Sequence, residues 1–92
     1  MITTERVYVK VALECDSTGY MHPKCITWTD GRQFKIEKVK SFRPAKDNRE
    51  SRTLDCYTIV VKGTEKYLFY DRTSGYQHLT VGRWFVERPI NA

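Results

Sequence analysis

Three cysteines and two histidines are the residues of this 92-residue chain with the most reactive side-chain chemistry. Cys15, His22, Cys25 and Cys56 form a candidate Cys₃His zinc set, and the spacing Cys15-x₆-His22-x₂-Cys25 brackets a turn. Structural zinc sites usually present Cys-x₂₋₄-Cys knuckles, and none is present. Cys15 falls on the apolar register of a strand, where a free cysteine acts as a small hydrophobe. A thiol beside His22 or His78 would make a nucleophile–base pair. No local motif brings them together, and no predicted helix N-terminus lowers a thiol pKa. Glu14, Asp16, Asp55 and Asp71 read as solvated strand carboxylates. The glycines are isolated and each fits a turn, so no phosphate-binding loop is formed. These readings predict no metal, no cofactor and no enzymatic activity.

Charge gives a stronger signal. The net charge is +5, and the segment Arg32–Arg52 carries all of it, with eight cations against three acids. Such asymmetry points to a polyanionic partner or to a solubilising face. Small β-barrels that bind single-stranded nucleic acid line a groove with Lys and Arg and stack bases on aromatic rings. On that pattern Lys35, Lys38, Lys40, Arg43, Lys46, Arg49 and Arg52 are the candidate phosphate contacts for single-stranded DNA or RNA. Tyr70 and Tyr76 are the candidate stacking rings, with Tyr8, Tyr20 and Phe42 as further exposed aromatics. The competing reading is that strand cations keep an edge soluble and prevent edge-to-edge pairing. A protein partner held at a sheet edge or an aromatic groove is then the alternative function. Trp28 and Trp84 are either groove-facing or, in phase with Ile26 and Val86, core.

These residues are carried by β-strands. Arg6–Cys15 alternates Val7, Val9, Val11 and Leu13 with wetter positions, the period of a half-buried strand. Ile26–Ile36 is a hairpin centred on Asp30-Gly31. A two-residue loop would place Ile26 and Trp28 opposite to Phe34 and Ile36. A three-residue loop, Thr29-Asp30-Gly31, pairs Ile26 with Phe34 and puts all four on one face, so that register is expected. It requires positive φ at Gly31. Ile36 and Val39 are three apart, so a bulge near Glu37-Lys38 is expected to bend the third strand. That strand is predicted to end near Phe42, with Arg43–Ser51 a mobile polar connection. Thr53–Lys62 and Lys66–Asp71 are apolar on both faces and read as central strands. Arg83–Arg88 is the last strand, stopped by Pro89.

Five or six short antiparallel strands with a bent third strand predict a single all-β domain, an SH3-like or OB-like barrel. A chain of this length buries roughly 60–65% of its unfolded surface, enough for one modest core. The odd cysteine count argues against a disulfide framework. No apolar run reaches the length of a membrane span and the first residues are no signal peptide. The expectation is a cytoplasmic monomer or homodimer.

Trp28-x-Asp30-Gly31-Arg32-x-Phe34-x-Ile36, Arg43, Tyr57-x-Ile59, Tyr67-Leu68-Phe69-Tyr70-Asp71 and Gly82-Arg83-Trp84-Phe85-Val86-Glu87-Arg88 together resemble a group of small uncharacterised bacterial proteins. The same pattern is similar to a domain of unknown function found with bacterial translesion-type DNA polymerases. It covers roughly residues 26–88 and rests on hairpin and strand residues. The resemblance implies a compact β domain with a role in nucleic-acid transactions, and it transfers no catalytic residue.

Overall fold

A computed structural model describes residues 3–47, 52–71 and 82–90. It contains seven antiparallel strands: β1 (Thr3–Cys15), β2 (Met21–Thr27), β3 (Gln33–Lys35), β4 (Lys38–Asp47), β5 (Arg52–Val61), β6 (Thr64–Asp71) and β7 (Arg83–Ile90). They form one sheet in the order β3-β2-β1-β7-β6-β5-β4, curled into a half-barrel. Among the described residues no helix is long and apolar enough to cross a membrane.

Asp30-Gly31 closes the β2–β3 hairpin in the expected register. Ile26 pairs with Phe34. Trp28 donates its N–H to the Arg32 carbonyl at 2.7 Å, and Gly31 donates to the Trp28 carbonyl at 3.0 Å. Gly31 has φ +93°, which a Cβ-free residue adopts without steric penalty.

The expected third strand is two strands, which raises the count from five or six to seven. After Lys35 the chain leaves β2 and joins β5 at the far edge of the sheet. The Ile36 N–H still donates to Lys24 of β2 at 2.9 Å, whereas the Glu37 N–H donates to Val60 of β5 at 2.8 Å. Two residues thus join the two edges, and the sheet must curl to let them. The bulge lies slightly further on, at Lys40, between the pairs Val39↔Ile59 and Ser41↔Thr58.

Two further boundaries differ from expectation. β4 continues to Asp47, so Arg43–Asp47 lies in a strand, with Arg43 opposite Cys56 and Asp47 opposite Arg52. Pro44 is tolerated because β4 is an edge strand. Residues 48–51, the rest of the predicted mobile connection, lie outside the described residues. β7 runs through Pro89, which sits opposite Thr4 of β1. β5 and β6 are internal strands, as their two-sided apolarity implied.

The core fills the concave side. Ile26, Ile36, Tyr57, Ile59, Val61, Leu68, Tyr70 and Trp84 are buried there, with Val9, Val11, Leu13, Phe34, Val39 and Val86 packed against them. Trp84 is its centre, with the Tyr70 ring 4.7 Å and the Tyr57 ring 5.3 Å from it. The opposite side carries a second aromatic group, in which Phe85 stacks on Phe69 at 5.1 Å and meets Tyr8 at 5.5 Å. Arg6 lies over Phe85 and Arg83 over Tyr8, at 4.5 and 4.2 Å from the ring centroids. Each guanidinium covers an aromatic face that would otherwise meet water.

Candidate binding groove

The groove arises where the ladder between β6 and β7 stops. Both strands have eight residues, yet they pair only at Phe69↔Phe85, Tyr70↔Trp84 and Asp71↔Arg83. Continuing that register would set Leu68 against Val86, Tyr67 against Glu87, Lys66 against Arg88 and Glu65 against Pro89. Like charges directly opposite are unfavourable. Proline has no N–H to give to a ladder. The outer neighbours hold each strand instead: β5 pairs with β6 over its full length, and β1 with β7 from Trp84 to Ile90.

The direction of the free backbone groups follows from the β5–β6 turn. Lys62 and Gly63 have φ of 51° and 74°, a two-residue turn of type I′ closed between Val61 and Thr64. Hydrogen-bonded and non-hydrogen-bonded pairs then alternate along the ladder. The backbone groups of Thr64, Lys66 and Leu68 face β5, and those of Glu65 and Tyr67 face the opening. On β7 the same alternation from Phe85 turns Glu87 and Pro89 toward the opening, which is where a missing proline N–H costs least.

Between the parted strands lies a groove of about 690 Å³. Its walls include Ile26, Phe34, Ile59, Val61 and Val86, which belong to the core or pack against it, and half-buried Trp28. Its rim is mainly basic: Arg32, Lys66 and Arg88, against Glu87. Arg32 is anchored by Asp30, which accepts from its backbone N–H at 3.0 Å and from its Nε at 2.6 Å. The Arg32 backbone N–H, first among these causes, holds the Asp30 carboxyl below its ordinary pKa. Arg88 is paired with Glu5. Lys66 has no anionic partner among the described residues. The Phe34 ring has Lys62 at 5.2 Å and Arg32 at 5.7 Å. Tyr67 is the most exposed aromatic of the rim, at 55%.

The residues expected to bind nucleic acid do not converge on this groove. Lys38, Lys40 and Arg43 are exposed on the edge strand β4, and Lys35 is exposed on β3 at the other edge. Lys40 is bound to Glu65 at 2.7 Å. The backbones of Lys46 and Arg52 pair with Thr53 and Asp47. Arg49 and Tyr76 lie outside the described residues. Tyr70 is corrected from exposed ring to core: it is 8% exposed and packed on Trp84, so its face is closed to a base. Trp84 is likewise core, whereas Trp28 is half-buried in the groove wall.

The reactive residues are dispersed as well. Cys15 is exposed rather than core, Cys25 is half-buried and Cys56 is buried. Burial holds the Cys56 thiol above its ordinary pKa. His22 hydrogen-bonds Asp16 at 2.8 Å within the β1–β2 turn. Among the described residues no three His, Cys, Asp or Glu side chains are grouped to hold a metal ion. Asp55 and Asp71 are buried rather than solvated, at 3% and 2% exposure, and Arg83 lies 3.8 Å from Asp71.

Sequence reasoning missed Lys66, Tyr67 and Arg88 as groove residues. No signal in the sequence alone links them, because they come together only through the β6–β7 register. No family model matches the chain, and no curated protein or solved structure matches it.

Proposed function

We propose that this protein is a non-catalytic interaction module that binds a polypeptide partner in the groove between β6 and β7. One observation carries this reading: two strand edges face each other across an apolar groove and are not paired. Unpaired strand edges over side-chain pockets are the apparatus of peptide recognition by sheets. The natural edge β4 is poorly suited to that task, since it bears Lys38, a bulge at Lys40 and Pro44. Those features protect an edge rather than recruit a partner. The barrel that accompanies this reading is the SH3-like one. Its support is the strand order, in which strands consecutive in the chain are neighbours in the sheet everywhere except between β3 and β4.

A second reading keeps single-stranded DNA or RNA as the ligand. The observation favouring it is the Phe34 ring beside Arg32 and Lys62, with exposed Tyr67 on the same groove. Selection of random displayed peptides against the full chain separates the two. The expected result is enrichment of peptides that lose binding to Trp28→Ala and Tyr67→Glu, the second variant altering only an exposed side chain. Failure to enrich, together with steeply salt-dependent binding of oligothymidylate, would give first place to nucleic acid.

A further inference from the structure

We infer that the partner segment enters the groove as an added strand between β6 and β7, and that it carries an acidic residue placed between Lys66 and Arg88. The inference rests on the polypeptide reading above and specifies its ligand. Three observations lead to it.

The first is the backbone. Glu65 and Tyr67 of β6, and Glu87 and Pro89 of β7, turn their main-chain groups into the opening. An inserted extended segment would find acceptors on both sides and N–H donors on all four except Pro89. Because β6 and β7 are antiparallel, the segment would lie parallel to one and antiparallel to the other.

The second is side-chain phase. Residues two apart on a strand share a face. Leu68 and Lys66 therefore project to one side of β6, and Val86 and Arg88 project to that same side of β7. An inserted residue level with Val86, which lies in the groove wall, meets apolar surface. The residue two positions along lies level with Lys66 and Arg88 and meets two cations.

The third is charge. Lys66 has no anionic partner among the described residues, whereas Arg88 is held by Glu5. An Asp or Glu between them gives Lys66 the partner it lacks, beside the Arg88–Glu5 pair. A basic residue there would meet both cations, so the same position rejects it. The ligand pattern is an apolar residue, any residue, then Asp or Glu, in an extended segment.

The probe is an end-capped peptide, Thr-Val-Thr-Val-Thr-Glu-Thr-Val-Thr, titrated into the full chain. Two controls carry Lys in place of Glu, or N-methyl groups on alternate backbone nitrogens. Expected results are binding of the first peptide, about tenfold weaker binding of the Lys control, and loss of binding with N-methylation. Amide exchange at Tyr67 should slow about tenfold or more when the first peptide is bound. Equal binding of the N-methylated peptide would overturn strand addition while leaving the polypeptide reading in place. Equal binding of the Lys control would overturn the acidic preference alone. If no peptide binds and oligothymidylate does, both readings fall. If Tyr67 is already protected in a chain that sediments as a dimer, a second copy fills the groove and the inference fails.

Discussion

Phe69 and Phe85 are the last cross-strand pair before β6 and β7 part, with their rings stacked at 5.1 Å and 12°. The stack pins one end of the opening, and continuing the register past it would set Lys66 opposite Arg88. If that like-charge position is what ends the ladder, the groove is a local conflict in it. Removing the conflict should remove the groove.

Lys66→Glu tests this directly. A glutamate opposite Arg88 turns a like-charge pair into an opposite-charge pair, a gain of about 0.2–1 kcal/mol for cross-strand neighbours. The variant should be slightly more stable than the parent in urea unfolding. Tyr67 should exchange its amide more slowly without any ligand, because its backbone groups gain partners on β7. An acidic peptide should no longer bind. An unchanged exchange rate at Tyr67 would mean that like charge is not what holds the strands apart.

How much of this was legible in the sequence depends on the range of the interaction concerned. The β2–β3 register was legible, because a one-residue slip would have separated Ile26 and Trp28 from Phe34 and Ile36. The break at Ile36-Glu37 was visible as a phase error, but not the fact that it sends the chain to the opposite edge. That depends on β1 pairing with β7, which joins the two ends of the chain. The groove depends on the same closure, so Lys66 and Arg88 became neighbours only once β7 had been placed. Tyr70 illustrates the remaining limit. Both faces of Tyr67–Tyr70 looked apolar, and only the position of Trp84 decides which tyrosine is covered.

Gly82 should not accept a side chain. It has φ +154°, and a Cβ built on it would lie 2.5 Å from the Tyr70 hydroxyl oxygen and 2.8 Å from the Asp71 carbonyl oxygen. One of these must move, and Tyr70 is held in the core against Trp84. Gly82→Ala should cost about 1–3 kcal/mol, the usual penalty of overpacking. Denaturant unfolding followed by tryptophan fluorescence measures it. A neutral result would show that the entry to β7 yields easily.

The β1–β2 turn should weaken in acid. Asp16 accepts hydrogen bonds from His22, from the Thr18 hydroxyl and from the backbone N–H groups of Thr18 and Tyr20. The bond to His22, the largest of these causes, with the others behind it, holds the carboxyl well below the usual carboxylate range. A depressed folded pKa contributes stability above the unfolded value, about 4, and that contribution disappears as pH falls toward the folded value. Asp16→Asn should therefore differ from the parent at neutral pH and converge with it in strong acid. A constant difference across that range would remove Asp16 as the titrating group.

The thiols should react in order of exposure. Cys15 is exposed, Cys25 half-buried and Cys56 buried with its pKa raised by desolvation. The thiolate is the reactive form, so Cys56 is disfavoured by both access and ionisation. Alkylation followed by mass spectrometry should label Cys15 first and Cys25 later. Cys56 should be labelled only as fast as the fold opens. Early labelling of Cys56 would contradict its place opposite Phe69 in the β5–β6 ladder.

The basic stretch gives the last prediction. Lys38, Lys40 and Arg43 are exposed on β4, and β4 is the end of the sheet. A sheet edge presents unpaired N–H and C=O groups, and lysines and a bulge are a common means of keeping copies apart. Lys40 is the bulged residue and is tied to Glu65, two strands away. Replacing all three with threonine keeps β propensity and removes the charge. The variant should fold, since none of the three is buried, and should self-associate in sedimentation at concentrations where the parent does not. If these cations instead neutralise phosphates, association will not change. The slope of log affinity for oligothymidylate against log salt would then flatten by about 0.7 for each phosphate no longer neutralised. The edge reading expects the first outcome because the three side chains follow the border of the sheet; Phe42, 45% exposed on the same strand, is the ring that the nucleic-acid outcome would use there.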